Sequence, residues 1–153
     1  MSDLSYTREE ILELCFSVLA EKRNEMERDL SDINDSVNTE TKSSAGDKHE
    51  TARARMQAEQ SRLLKQLLEI KAQELDLERI GQLKKETKIS LGSIVYTTSG
   101  VFFVAIALGK LRFGQTDVHV VSAQSPLAAK MMGRATGETF ELNGNSYFIE
   151  NIL

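Results

Sequence analysis

Two long stretches of helical apolar spacing, separated by a short polar segment, constrain this chain more than any other feature. From Thr7 to about Val37, Ile11, Cys15, Val18, Met26, Leu30, Ile33 and Val37 recur at steps that are sums of three and four. Thr7 followed by Glu10 is a capping-box pattern at a helix entrance. The other faces are charged, as on a solvated helix. A second stripe begins near His49 with Ala52, Met56, Leu63, Leu67, Ile70 and Leu77, widened by Leu64, Leu68 and Leu75. No proline interrupts it, its first glycine is Gly81, and strong helix formers fill it. Between the stripes, Asn38–Gly46 is rich in Thr, Ser, Asn and Gly and has no large apolar residue, which is turn chemistry. The pattern predicts an antiparallel coiled-coil hairpin, each helix burying its stripe against the other. Helices of roughly 30 residues at ~1.5 Å per residue give a rod of about 45 Å. Such a rod buries little for its length, and a chain that makes one needs reach.

Charge then divides the chain. Residues 1–88 carry 19 acidic and 15 basic side chains, and residues 89–153 carry four of each. A step of that size marks a change of architecture. It places one unit at 1–88, with an acidic tip near 38–50, and a second at 89–153. The net charge of −4 argues against nucleic-acid binding by bulk electrostatics, which needs a basic face. Val101–Leu108 is apolar but far shorter than the ~20 residues of a membrane span. The N-terminus lacks a basic segment followed by an apolar one, and Cys15 has no cysteine to pair with. A cytoplasmic protein, with no membrane partner and monomeric when free, is the expectation.

After Lys88 the period changes to two. Ile94-Val95-Tyr96 and Val101–Leu108 read as strands around a Ser99-Gly100 turn, and Val118–Val121 as another. Phe140–Leu142 and Tyr147–Ile149 flank Asn143-Gly144-Asn145, a hairpin signal because Asn-Gly accepts positive φ. One short helix is expected over Pro126–Met132, with Ser125 as its N-cap, Pro126 where a missing N–H costs nothing, and Gly133 as its stop. The fold class is therefore α+β: a helical hairpin followed by a small β-rich domain with one short helix. Phe102 and Phe103 alternate faces, so only one of them need be core, leaving the other for an interface.

The end of the hairpin reads Gly46-Asp47-Lys48-His49-Glu50-Thr51-Ala52. With this motif the chain resembles the Gre family of bacterial transcript-cleavage factors, whose coiled-coil tip reads G-D-x-x-E-x-A and whose C-terminal domain is FKBP-like. Leu91-Gly92-Ser93-Ile94-Val95 is similar to that family's opening strand. Ser125-Pro126-Leu127-Ala128 with Met132-Gly133 is similar to its Ser-Pro helix, and Gly137-Glu138 and Tyr147–Ile152 also fit. The resemblance runs through nearly the whole chain in order. It implies a transcription elongation factor that binds RNA polymerase through the C-terminal domain at the rim of the secondary channel. The hairpin would bring Asp47 and Glu50 to the polymerase active site, beside the nascent RNA 3′ end. There they would help hold a Mg²⁺ shared with the polymerase and orient the attacking water. The polymerase itself would cut the backtracked RNA, so the chain would be an accessory factor rather than an enzyme, with no cofactor of its own.

The residue types suit that chemistry. Mg²⁺ takes hard oxygen ligands, commonly one or two carboxylates, and residues at i and i+3 of a helix start share a face. Asp47-x-x-Glu50 is equally a helix-start signature in which both acids cap, and the two roles are compatible. His49 reads as a solvated loop histidine, since Mg²⁺ rarely takes imidazole. Arg53 and Arg55 are candidates for RNA or channel contact, or for a solvated helix face. Thr51 and Ala54 stand where the family often has Asn and Tyr. That departure motivates an alternative reading, a non-cleaving secondary-channel regulator of initiation or pausing. Ser125, Pro126 and Leu127 are the candidate polymerase-binding surface, or simply the cap and packing of their helix. Cys15 lies on an apolar stripe and reads as a buried thiol, not a nucleophile. His119 reads as a packed or edge residue of its strand. A peptidyl-prolyl isomerase is a third reading by analogy of fold alone, weakened by the absence of tryptophan.

Overall fold

A computed structural model describes residues 6–42 and 47–153, with side chains described for 6–38 and 50–153. The chain is α+β: two long N-terminal helices, then a six-stranded sheet with one short helix. Helix α1 spans Arg8–Lys42 and α2 spans Asp47–Gly81. Thr7 caps α1, its Oγ1 accepting from the Glu10 N–H at 3.2 Å, as the capping box predicts. Helix α1 continues to Lys42, past the point where its apolar stripe ends at Val37. The expected turn over Asn38–Gly46 is therefore shorter on its N-terminal side, and residues 43–46 lie outside the described residues. Asn38–Lys42 contains no Gly or Pro, so nothing local stops the helix there.

Contacts divide the chain into two compact units, Ser17–Glu74 and the combination of Met1–Phe16 with Leu75–Leu153. In the first, the helices run antiparallel. Arg23 Nη1 donates to Glu74 Oε2 at 2.6 Å, and Gln60 Nε2 donates to Asn34 Oδ1 at 2.5 Å. The seam there is narrow. Leu19, Leu63, Leu67 and Ile70 are buried, while Val18, Met26, Leu30, Ile33, Val37, Ala52 and Met56 are half-buried. Leu64 and Leu68 do not widen the seam; they are 47% and 67% exposed, and Leu75 in the second unit is 53% exposed. A two-helix pair buries only the residues that face its partner, so leucines beside that line stay in water.

In the second unit the strands are β1 (Ile94–Thr97), β2 (Gly100–Ala105), β3 (Gly109–Phe113), β4 (Thr116–Ser122), β5 (Thr139–Leu142) and β6 (Asn145–Ile152), with α3 (Pro126–Met131) between β4 and β5. Their order across the sheet is β3-β4-β2-β1-β6-β5. Only β2 and β4 pair in parallel, Phe103 opposite Val120; the other neighbours are antiparallel. Strand β3 is absent from the sequence expectation. Its Lys110 and Arg112 alternate with Leu111 and Phe113, which suits an exposed edge strand but breaks an apolar run. The Asn143-Gly144 turn forms as expected, with φ of 53° and 80°.

Both faces of the sheet are covered. On one, Val95, Phe102, Val104, Phe140, Ile149 and Ile152 pack with Ile89 and with Ala128 and Met131 of α3. The opposite face buries Ile94, Tyr96, Phe103, Ala105, Val118 and Val120. The base of the helices lies on that side: Ile80 of α2 lines one shallow cleft with Ala105. Phe102 and Phe103 are consequently both core, against the expectation that one was free for an interface. Alternation gives the face a side chain takes, not how many faces are buried. Among the described residues, no helix is long and apolar enough to cross a membrane.

Candidate functional site

The two candidate acids sit at the start of α2. Asp47 is its first residue and Glu50 follows within the first turn, where the backbone N–H groups have no intrahelical acceptor. Glu50 is exposed. The Asp47 and His49 side chains lie outside the described residues, so the pairing of the two carboxylates rests on helix geometry. At ~3.6 residues per turn, positions 47 and 50 are about 60° apart around the axis and roughly opposite the stripe of Met56, Leu63 and Leu67. Glu50, which is exposed, is thus on the face of α2 turned away from its own seam. Arg53 and Arg55, both exposed, fall on the two flanks between that face and the seam. The arrangement offers hard oxygen donors with cations beside them. Among the described side chains, no three or more His, Cys, Asp or Glu gather in a metal-sized group. Asp47 and Glu50 are two donors at most, which suits Mg²⁺ only where other ligands are supplied.

The second candidate surface is the start of α3. Ser125 has the extended backbone of an N-cap, φ −68° and ψ 154°. Its Oγ accepts from the Ala128 N–H at 3.2 Å and donates to the Ser122 carbonyl at 2.7 Å. Leu127 packs, half-buried, against the core beside Ala128 and Met131. Ser125 and Leu127 are thus held by the fold itself, and Pro126 is the exposed member of the three. The helix ends one residue earlier than expected, at Met131, and Gly133 follows with φ 81°.

No family model, curated protein or solved structure matches the chain.

The remaining singled-out residues have structural environments. Cys15 is completely buried, and burial pushes its thiol up to about 11, the opposite of an activated nucleophile. His119 stacks on Phe102 with ring centroids 5.2 Å apart, and Tyr147 bridges Phe102 to Phe140. Sequence reasoning passed over one functional candidate, Arg8, whose guanidinium reaches the Ile80, Leu83 and Gly92 carbonyls. Its partners are 72 to 84 residues away, so no local pattern points to it.

Proposed function

We propose that this chain is a Gre-type transcript-cleavage factor. It docks on bacterial RNA polymerase at the secondary channel through its C-terminal domain, read as FKBP-like, and stimulates the polymerase to cut backtracked RNA. The observation that supports the reading is the antiparallel helix pair whose second helix opens on Asp47-x-x-Glu50, with Glu50 exposed. Capping alone would account for an acid at this helix start. It gives no reason for a second helix of 35 residues whose acids open the end most distant in sequence from the sheet.

In this reading the residues divide the work. Glu50 and Asp47 present carboxylate oxygens to a Mg²⁺ shared with the polymerase and accept hydrogen bonds from the attacking water. A Mg²⁺ held there would supply positive charge to a phosphoryl displacement. Arg53 and Arg55 meet phosphate or acidic channel walls, where a guanidinium fork binds well. Pro126 and the cap at Ser125 give the β domain its docking edge. Catalysis belongs to the polymerase, and this chain contributes donors at one end and binding energy at the other.

The test is to incubate the protein with stalled, backtracked elongation complexes and read RNA lengths. Shortened RNA that remains extendable is the expected result. Unchanged RNA with altered elongation or initiation would replace this reading with that of a non-cleaving channel regulator, which the Thr51 and Ala54 departures favour.

A further inference from the structure

Residues 6–8 form a clamp for which the proposed chemistry has no use. Arg8 opens α1, and its guanidinium donates to three separate backbone carbonyls: Nε to Gly92 at 2.8 Å, Nη1 to Leu83 at 3.2 Å and Nη2 to Ile80 at 2.5 Å. Ile80 lies in the last turn of α2, Leu83 in the segment leaving it, and Gly92 just ahead of β1. The carbonyls at a helix C-terminus lack intrahelical donors and carry partial negative charge, so a planar fork of five N–H donors suits them better than a lysine's single point. Gly92 is buried with φ 92°, and a Cβ there would stand 2.6 Å from Arg8 Nη2. Two residues before Arg8, the Tyr6 ring meets Phe113 edge-on at 4.3 Å, and its hydroxyl occupies the space a Cβ on Gly114 would need. The entrance of α1 is therefore fastened to the end of α2, to the turn before β1 and to the β3–β4 hairpin.

We propose that Arg8 is a positioning residue, the mount that fixes the base of both helices on the sheet, and that RNA cleavage depends on this mount being rigid. The proposal rests on the cleavage reading for its consequence and on the clamp for its mechanism. Displacing reacting groups by about 1 Å can cost up to about 100-fold in rate, so a loosened mount acts on turnover rather than on docking.

The experiment compares Arg8→Ala and Arg8→Lys with the wild type in two measurements. The first is RNA cleavage in backtracked complexes as a function of factor concentration. Arg8→Ala is expected to lower the maximal rate about ten-fold with the half-saturating concentration within about two-fold, and Arg8→Lys to fall between. The second is the distance distribution between labels at Glu13→Cys and Glu141→Cys, two exposed sites of the same compact unit, with buried Cys15 left unlabelled. It should broaden in Arg8→Ala and less in Arg8→Lys. A residue serving stability alone would lower the unfolding temperature and raise the half-saturating concentration while leaving the maximal rate at saturation unchanged. That outcome, or an unbroadened distribution, overturns the proposal. Should Arg8→Ala fail to fold, Arg8→Lys decides by the same criteria. A wild type that does not cleave removes the functional reading, and the label distances then decide the mount on their own.

Discussion

The unit Ser17–Glu74 and the unit containing the sheet bury their apolar residues very differently. In Ser17–Glu74, the buried apolar side chains among the described residues are Leu19, Leu63, Leu67 and Ile70, and towards the turn the seam is only half-buried. The sheet buries residues on both faces, with Phe103, Ile94, Val95, Val104 and Ile149 wholly enclosed. Burial contributes ~25 cal/mol per Å² of apolar surface, so the two units draw on unequal reserves. The unit Ser17–Glu74 belongs to the low end of local stability, where opening is expected first.

The largest expected effect is a direct contrast of the two units. Phe103→Ala should cost about 3–5 kcal/mol by opening a cavity in the enclosed face of the sheet, whereas Met56→Ala, half-buried in the seam, should cost about 1 kcal/mol. Urea unfolding of both variants measures the difference, and equal losses would erase the distinction between the units. Next comes an alkaline weakness at Cys15. Its folded-state thiol sits at about 11 against an ordinary 9.0, so the fold holds the proton more tightly than the open chain does. The contribution is full below about pH 9 and is lost as pH rises towards 11, amounting to about 2–3 kcal/mol. Unfolding midpoints followed across that range should fall in the wild type, and fall less in Cys15→Ala.

Smaller effects sharpen the comparison. Ser125→Ala removes the α3 cap and should cost about 1 kcal/mol, while Ser125→Asp, which can still cap, should retain most of it. If polymerase binding follows the cap across both variants, Ser125 serves docking through the helix it starts. At the low end is the half-buried Arg23–Glu74 pair, at 2.6 Å. A double-mutant cycle on Arg23→Ala and Glu74→Ala should give a coupling of about 0.5–1 kcal/mol, because water still screens both groups. A coupling several times larger would mean the seam is far less solvated than its exposure indicates.

What could be read from the sequence follows the same divide. The 3.6-residue stripe announced both helices, and Thr7 and Ser125 announced their caps, because those signals are local. Leu64, Leu68 and Leu75 misled, since the width of a buried stripe depends on how much partner surface there is, and one helix covers only a seam. Phe102 and Phe103 misled in the opposite sense, because a second covered face cannot be seen in period-two spacing. Strand β3 was hidden by Lys110 and Arg112, which belong to an edge and look like a loop. Arg8 was invisible, as its three acceptors are backbone atoms brought near only by the fold. At the tip, the spacing of Asp47 and Glu50 was plain in the sequence. The spacing also announced the helix start, but the same spacing serves a cap, so it left the role of the two acids open.

That ambiguity decides which measurement bears hardest on the account. Asn and Gln keep the hydrogen-bonding shape of Asp and Glu but lack the charge. In stalled, backtracked complexes, the Asp47→Asn, Glu50→Gln double variant should compete with the wild type for polymerase at similar concentrations and yet leave the RNA uncut, with stimulation down at least about 100-fold. Cleavage at near wild-type rates by that double variant would contradict the account, reducing the two acids to helix caps.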